Sequence, residues 1–459
     1  MLNVMCDGVF ASSIAMIILS TTIFSLQNVK FPVMRRQLYI DLLIALWLLP
    51  TANAADFEFP DITLTNAAFG SCHNRKYAAN AQKTWSSIRA EKPQIFFWTG
   101  DSVYTKGRSE ASLEALQYEY EQMKTNATLG YSDFHPPLGI YGTWDDHDYG
   151  GNDAGRELPN RRERANLFWD FLGHKMIENR DGVYSSLTIG SAPRKVKILF
   201  LDTRWHRQQH CIPSVAMKVP LGSGFACLTR WFAAGLFPSL CPSQSTLLGE
   251  EQWQWLVQET EASDSALTLI ISSIQVLSTN PMMEGWGHFP SERDRLFRLI
   301  SQMSHKTAVY ILSGDVHHGE ILDPMAMKED TFLEVTSSGL THDCASPFYG
   351  GLCKPLLNTF SSHRHNNITN YYIGINYGVI HIDWDNSIVE IKVRNQYGQT
   401  VLSTGQRTLQ TPHPTWSEDE LRTINTTMDG HLLPWLKMAF TTILVVVAIR
   451  FVSSRRLLG

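Results

Sequence analysis

Residues 142–153 read Gly142-Thr-Trp-Asp-Asp-His-Asp-Tyr-Gly-Gly-Asn-Asp153. Asp145, Asp146, His147 and Asp148 stand side by side. Ionised groups are rarely buried without partners, so neither an amphipathic helix nor a half-buried strand favours this order. The flanks differ from the centre. Ile140, Tyr141 and Trp144 form the end of a buried strand, and Gly150 and Gly151 open a loop. The charges therefore sit where a strand leaves a sheet, which is where open α/β sheets bind ligands. A cation would offset such crowding of like charges. A solvated acidic turn also explains an Asp-Asp pair taken alone, so the groups at other strand ends decide.

Those strand ends carry matching chemistry. Ile62 to Phe69 is strand-like and ends in Gly70-Ser-Cys72-His73. Gln94 to Trp98 is a continuous apolar run, the mark of a buried strand, and ends in Gly100-Asp101-Ser-Val-Tyr104. Val196 to Leu201 leads to Asp202-Thr-Arg204, Leu267 to Ile271 to Ser273-Ile-Gln275, and Ala308 to Leu312 to Gly314-Asp315-Val-His317-His318. Helical periodicity marks Ala79–Arg89, Leu113–Lys124, Arg161–Phe171, Gly249–Gln258 and Arg293–Met303. Phe332–Ser337 and Gly378–Asp383 are further strands, and Asp385-Asn386 turns into Ile388–Val393 as a hairpin. Strand, polar cluster and helix alternate, which is α/β architecture. Parallel strands deliver their ends to one sheet edge, so the separate groups are expected together. Carboxylate, phenol, imidazole and thiol suit a hard or borderline transition ion better than a thiolate-rich structural zinc. Two cations sharing a carboxylate would hold a phosphate ester.

The series Gly70-Ser-Cys72, Gly100-Asp101-x-x-Tyr104, Trp144-Asp-Asp-His-Asp148, Asp202-x-Arg204-x-x-Arg207, Leu248-Gly-x-x-Gln252-Trp253-x-Trp255-Leu256 and Ser313-Gly-Asp315-Val-His317 resembles the PhoD-like alkaline phosphatases of the metallophosphoesterase superfamily. Order and spacing match from about Ala67 to Tyr397. The resemblance implies a metallophosphoesterase-like sandwich of two β-sheets flanked by helices. It implies Fe(III) with a second divalent cation, Ca2+, with zinc or manganese as alternatives. By position, Cys72, Asp101, Tyr104, Asp146, Asp315 and His317 form the metal shell, with Asp101 shared. His147 contacts the phosphate or protonates the leaving oxygen. Arg204 orients a carboxylate or a phosphate oxygen, or else pairs with Asp202. Asn152 is placed to reach a second metal, and Gln275 stands where other superfamily members carry a ligand histidine. The implied reaction is hydrolysis of phosphate monoesters and diesters by metal-activated hydroxide, without a phosphoenzyme. A phosphodiesterase or phospholipase using the same site, and a catalytically silent metal-binding surface protein, are the competing functions.

The remaining sequence bounds the setting. The 459 residues carry a net charge of −5, which leaves no nucleic-acid footprint. Met34-Arg35-Arg36, the apolar run Leu38–Leu49 and Ala52-Asn53-Ala54 predict a signal peptide over 34–54, with 1–33 as an upstream extension. A phosphatase domain is expected over 55–410, with an irregular insertion at 208–247, a polar stalk at 411–431, a transmembrane helix at 432–452 and a cytoplasmic tail at 453–459. That describes a single-pass type I membrane protein of the secretory pathway. Sequons at Asn126, Asn367 and Asn425 fit a luminal surface. Of 7 cysteines, Cys344 and Cys353 bracket a small loop and can pair, and Cys211, Cys227 and Cys241 can supply a second bridge. Cys72 is left over. In the insertion, Trp231, Phe232, Leu236 and Phe237 form either a hydrophobic lip for lipid-like substrates or a disulfide-pinned core cover. Nothing in the composition sets an oligomeric state.

Overall fold

The computed structural model describes residues 55–106, 110–214, 222–237, 241–242, 244–323, 332–345, 350–360, 363–364, 370–410 and 416–426. In chain order the strands are β1 (Phe57–Phe59), β2 (Asn66–Gly70), β3 (Ile95–Thr99), β4 (Ile140–Thr143), β5 (Ser185–Ile189), β6 (Val196–Phe200), β7 (Leu267–Ile271), β8 (Ala308–Ser313), β9 (Gly319–Leu322), β10 (Leu333–Ser337), β11 (Tyr371–Tyr372), β12 (Asn376–Asp383), β13 (Ile388–Asn395), β14 (Thr400–Ser403) and β15 (Arg407–Thr408). They form one sheet in the order β1-β5-β6-β7-β8-β10-β9-β11 and another in the order β14-β13-β12-β2-β3-β4, with β15 beside β13. Parallel pairing runs through β6, β7, β8 and β10 in the first sheet and through β2, β3 and β4 in the second.

Period-two alternation explains the layers, because successive strand residues face opposite sides. In β3, Phe97 points between the sheets while Phe96 and Trp98 point outward. In β7, Leu269 and Ile271 point inward and Ile270 outward. Every one of these positions is buried, so both faces are covered, as continuous apolar strands require. Phe97 and Phe200 meet across the sandwich with ring centroids 5.9 Å apart.

The outer layers are helical. Over the second sheet lie α1 (Ala78–Ala90) and α2 (Leu113–Thr125). The single turn α3 (Asp146–Tyr149) follows β4 and leads to α4 (Arg161–Leu172), which also covers that sheet. Trp85, Trp98, Trp144 and Trp169 fill this layer. The insertion carries α5 (Gly222–Arg230), continued by a π-helical turn over Trp231–Leu236. Over the first sheet lie α6 (Glu250–Glu261) and α7 (Pro290–Met303), packed through Trp253, Trp286 and Phe297. Most of the described tryptophans thus belong to the two helix–sheet layers. A side chain such as Phe297 contributes roughly 1.5–3 kcal/mol by burial.

The strand ends converge. Ser71, just after β2, bridges Ser338, just after β10, and so links the two sheets. Thr99 donates from Oγ1 to the Ser313 carbonyl at 3.4 Å, and Thr143 from Oγ1 to the Leu201 carbonyl at 2.7 Å. Disulfides join Cys211 to Cys241 and Cys344 to Cys353, while Cys72 and Cys227 are free.

Several expectations are corrected. The first long strand begins at Asn66, not Ile62. The Gln94 side chain takes the place of a strand partner there: it accepts from Thr65 N–H at 2.7 Å and donates to the Thr63 carbonyl at 2.9 Å. Residues Glu418–Thr426, placed in a stalk on sequence grounds, form a helix whose Leu421 and Ile424 join Trp416 in the core beside α7. The fold carries no C-terminal transmembrane helix among the described residues, where no helix is long and apolar enough to cross a membrane. The span expected at 432–452 lies outside the described residues, as do the segments 1–33, 34–54 and 453–459. The single-pass membrane placement therefore has no helix to carry it among the described residues.

Candidate metal centre and active site

The acidic stretch folds as a tight turn at the exit of β4. Asp145 precedes the one-turn helix α3, and its N–H donates to Asp148 Oδ2 at 3.1 Å. Asp148 is fully buried and also accepts from the N–H groups of Ser102 at 3.0 Å and Val103 at 3.3 Å. It therefore ties the loop after β3 to the turn after β4. Burial pushes its carboxyl up to about 6, against the opposing effect of the Ser102 hydrogen bonds.

Asp101 stands at the centre. Tyr104 donates its hydroxyl to Asp101 Oδ2 at 2.6 Å, the Cys72 thiol lies 3.5 Å from the same oxygen, and His147 N–H donates to Asp101 Oδ1 at 3.3 Å. Cys72 Sγ is 3.1 Å from Ser338 Oγ, which also accepts from His317 N–H at 2.9 Å. Oxygen or nitrogen atoms of Asp101, Asp146 and His147 lie within 4.8 Å of one another, and so do those of Asp101, Asp145 and Asp315. One buried edge thus assembles residues from the ends of β2, β3, β4 and β8.

The backbone is strained at these same points. Cys72, Asp101, Asp315 and His317 adopt φ of 63°, 51°, 71° and 57°. Side chains avoid this left-handed region, and such outliers gather where function over-determines the structure.

The electrostatics ask for positive charge. Burial, and then the carboxylates of Asp146 and Asp145, push Asp101 far above the ordinary carboxylate range. Asp315 is raised by burial and then by Asp145 and Glu284. Burial followed by Asp101 raises both the Cys72 thiol and the Tyr104 phenol. Burial holds His317 down at about 3, with the neighbouring His147 adding to the effect. Its imidazole is therefore neutral and able to ligate. Asp146 Oδ1, Asp145 Oδ2 and His317 Nδ1 are buried without hydrogen-bond partners. Orphaned acceptors beside crowded carboxylates, with hard and borderline donors around them, fit one or more multivalent cations.

A model of the PhoD-like phosphatase family matches residues 67–392. The chain belongs to that family. No curated protein sequence matches it significantly. A solved structure described as that of PhoD is similar, with a TM-score of 0.51 and 15% identity over 82% of this chain and 78% of that one. A purple acid phosphatase from yellow lupin (Lupinus luteus) seeds is similar with a TM-score of 0.42 and 12% identity, over 75% of this chain and 54% of that one. As a PhoD-like phosphatase, the protein is a metal-dependent phosphoesterase.

Most nominated residues of this phosphatase meet at the site, and some stand elsewhere or do other work. Cys72, Asp101, Tyr104, Asp146, His147, Asp315 and His317 surround one space. His147 is only partly buried, and its ring lies 4.0 Å from that of Tyr104 on the open side. Arg204 is fully buried behind them. Its Nε donates to Asp145 Oδ1 at 2.6 Å and its Nη1 to Glu284 Oε1 at 2.9 Å. Asp202 instead accepts from the backbone of Arg204 and Trp205, so of the roles expected for Arg204 the orientation of a carboxylate is the one the geometry serves. Gln275 donates to Glu320 and Thr336, each at 3.0 Å, within the first sheet. Asn152 is half-buried in the loop after α3.

Three participants, Glu284, Ser338 and His342, were missed, and Ser273 was noted only as a polar group at a strand end. Glu284, in the irregular segment before α7, is held by Arg204 and by Arg207 at 2.6 Å. Burial alone would raise it, and these guanidiniums with Arg230 bring it below its usual range. Ser273 accompanies Arg204 on Asp145 at 2.6 Å. Ser338 joins Cys72 to His317, and His342 places its ring 4.5 Å from that of His317 and 5.2 Å from Tyr104. The strand Phe332–Ser337 was legible, and reading on past its end would have found Ser338 and His342. A second acidic group, Asp153 with His210 and Glu284, is neutralised by Arg207 and Arg230 and does not fit a cation.

Proposed function

We propose that this phosphatase hydrolyses phosphate esters at the edge formed by Cys72, Asp101, Tyr104, Asp146, Asp315 and His317, which together hold a metal pair. The observation that carries this is that Asp101 lies within 4.8 Å of Asp146 and His147 in one group and of Asp145 and Asp315 in another, at the strand exits. A phenol and a thiol share one Asp101 oxygen there. Asp101 presents Oδ1 and Oδ2 in different directions, so it is the residue suited to be shared. Phenolate and thiolate favour Fe(III) at one position, and the carboxylates favour a harder divalent ion such as Ca2+ at the other. Bound cations would supply Lewis acidity toward the phosphoryl oxygens and lower the pKa of water.

The chain's own residues do the rest. Asp148 fixes the loop that carries Asp101 and Tyr104. Arg204 and Ser273 fix the Asp145 carboxyl behind the ligands. His147, on the open side and kept largely neutral by burial, contacts the phosphate or shuttles the proton of the leaving oxygen. Cys72 is buried and its thiol raised, which disfavours a covalent nucleophile, and a bound cation would bring the thiol down to a ligating thiolate.

The test is hydrolysis of p-nitrophenyl phosphate and of its bis-ester by the purified protein, alongside metal analysis. Absence of turnover on either ester with metal present would sink the enzyme reading and favour a silent metal-binding protein. Turnover of the diester alone would select a phosphodiesterase. Zinc alone, bound without Cys72 or Tyr104, would overturn the ligand set.

A further inference from the structure

The insertion reaches the metal-binding edge chiefly through Arg230, with Ser214 beside it. Arg230, the last residue of α5, is 8% exposed. Its Nη1 donates to Asp153 Oδ1 at 2.8 Å and its Nε to the Met282 carbonyl at 3.0 Å. The other oxygen of Asp153 accepts from Ser214, also in the insertion. Arg207 Nη1 donates to the Asp153 carbonyl at 2.9 Å. Asp153 is thus gripped at its carboxylate and its carbonyl, and it has φ of 59°, a left-handed conformation for a residue with a side chain. In that conformation its N–H donates to Asp146 Oδ2 at 2.7 Å. Asp146 Oδ1 is left buried and without a hydrogen-bond partner, 4.0 Å from His147 Nε2.

We infer that Arg230 is a positioning residue: by holding Asp153 left-handed, it aims the Asp153 N–H at Asp146 Oδ2 and leaves Asp146 Oδ1 directed at the metal. The inference rests on Asp146 being a ligand. It gives the insertion a role in shaping the site, independent of either role considered for its aromatic residues. A carboxylate with one oxygen held rotates less, and outer groups that orient ligands typically change metal affinity or activity by about 10–100-fold when removed. The ion pair is buried, so it is not screened away as a surface pair would be. Ser214 and Arg207 keep contacts with Asp153 when Arg230 is changed, which makes a partial loosening the expected result and not collapse of the loop.

The experiment compares the full-length, metal-loaded wild type with Arg230→Gln, Arg230→Lys and Asp153→Asn. Metal retained after timed dialysis against a chelator is measured beside kcat and KM on p-nitrophenyl phosphate, with thermal melting as the check on folding. Arg230→Gln and Asp153→Asn are expected to weaken metal retention at least tenfold and to lower kcat with little change in KM. Arg230→Lys is expected to recover part of both. Wild-type retention and kcat in folded Arg230→Gln would overturn the proposal, as would a lowered melting temperature as the sole effect. If Arg230→Gln does not fold, Asp153→Asn decides by the same criteria. A wild type that binds metal but turns over neither ester refutes the enzymatic reading and leaves the retention comparison to judge Arg230. A wild type that binds no metal overturns both.

Discussion

Replacing Arg204 by Leu isolates what one buried cation does for this site. Arg204, Asp145 and Glu284 are essentially inaccessible to water. Glu284 keeps Arg207 at 2.6 Å after the change, but Asp145 keeps only the Ser273 hydroxyl at 2.6 Å. One carboxylate, not two, is therefore stranded. Removing one partner of a buried pair destabilises by about 3–5 kcal/mol, and a single stranded charge sets that range without doubling it. The pH dependence is the sharper signature. Burial raises Asp145 to about 7 in spite of Arg204, well above the value of an unfolded Asp near 3.9. A carboxyl raised in the fold loses stability as pH climbs from its unfolded to its folded pKa, because the unfolded chain releases the proton first. Without Arg204 the folded value rises further, so the variant goes on losing stability at pH values where the wild type has levelled off. Urea unfolding of chelator-treated protein at pH 5 and pH 8 measures this directly. The Arg204→Leu deficit should be larger at pH 8. A deficit under about 1 kcal/mol, or one equal at both pH values, would refute the assignment of Arg204 to Asp145.

Three further outcomes follow from the geometry. Asp146→Asn should lose metal and activity together, whereas His147→Ala should keep metal and lose activity by about 10²–10⁴-fold, as removal of a proton-transfer or phosphate contact does; near-full activity in both would move the active centre elsewhere. Gly142→Ala puts a Cβ 2.5 Å from Trp98 Cβ and 2.6 Å from its carbonyl oxygen. Because the backbone cannot yield easily, thermal or urea melts should show a loss of about 1–3 kcal/mol or more. Opening the Cys344–Cys353 bridge, across a separation of 9 residues, should cost about 2–3 kcal/mol by loop entropy. It should also raise KM, because His342, two residues before Cys344, stands against His317; urea unfolding and steady-state kinetics of the double serine variant give the two numbers.

The α/β alternation was legible because the strands that carry the site are continuous apolar runs ending near Gly or Asp, whereas the two-sheet sandwich came from the family resemblance alone. The same punctuation exposed Cys72, Asp101, Asp146 and Asp315. What stayed hidden is what no periodicity encodes. Glu284 sits in an irregular segment, and only the fold carries it beneath Arg204. Arg230 lies between cysteines in a stretch dominated by apolar residues, where its charge gives no hint of a partner 77 positions earlier. The insertion's aromatics are half-buried at Trp231, Phe232 and Phe237, with Phe232 and Phe237 packed on each other at 4.9 Å, while Leu236's side chain lies outside the described residues. The bridge among its three cysteines could not be chosen from spacing, and the structure selects Cys211 with Cys241. The transmembrane expectation finds no support among the described residues, where no helix is long and apolar enough to cross a membrane.

The left-handed backbone at Cys72, Asp101, Asp315 and His317 bears on how this chain would decay once its chemistry was no longer needed. Each position places a residue with a side chain where glycine sits without steric penalty, at a strain of order 1 kcal/mol or more. Replacing any of them by glycine destroys a proposed ligand, relieves that strain and, at the two aspartates, thins a cluster of repelling carboxylates. In an inactive descendant that relief would offset part of the packing lost with each side chain, and glycines at these four points would mark a copy that had stopped catalysing while still folding.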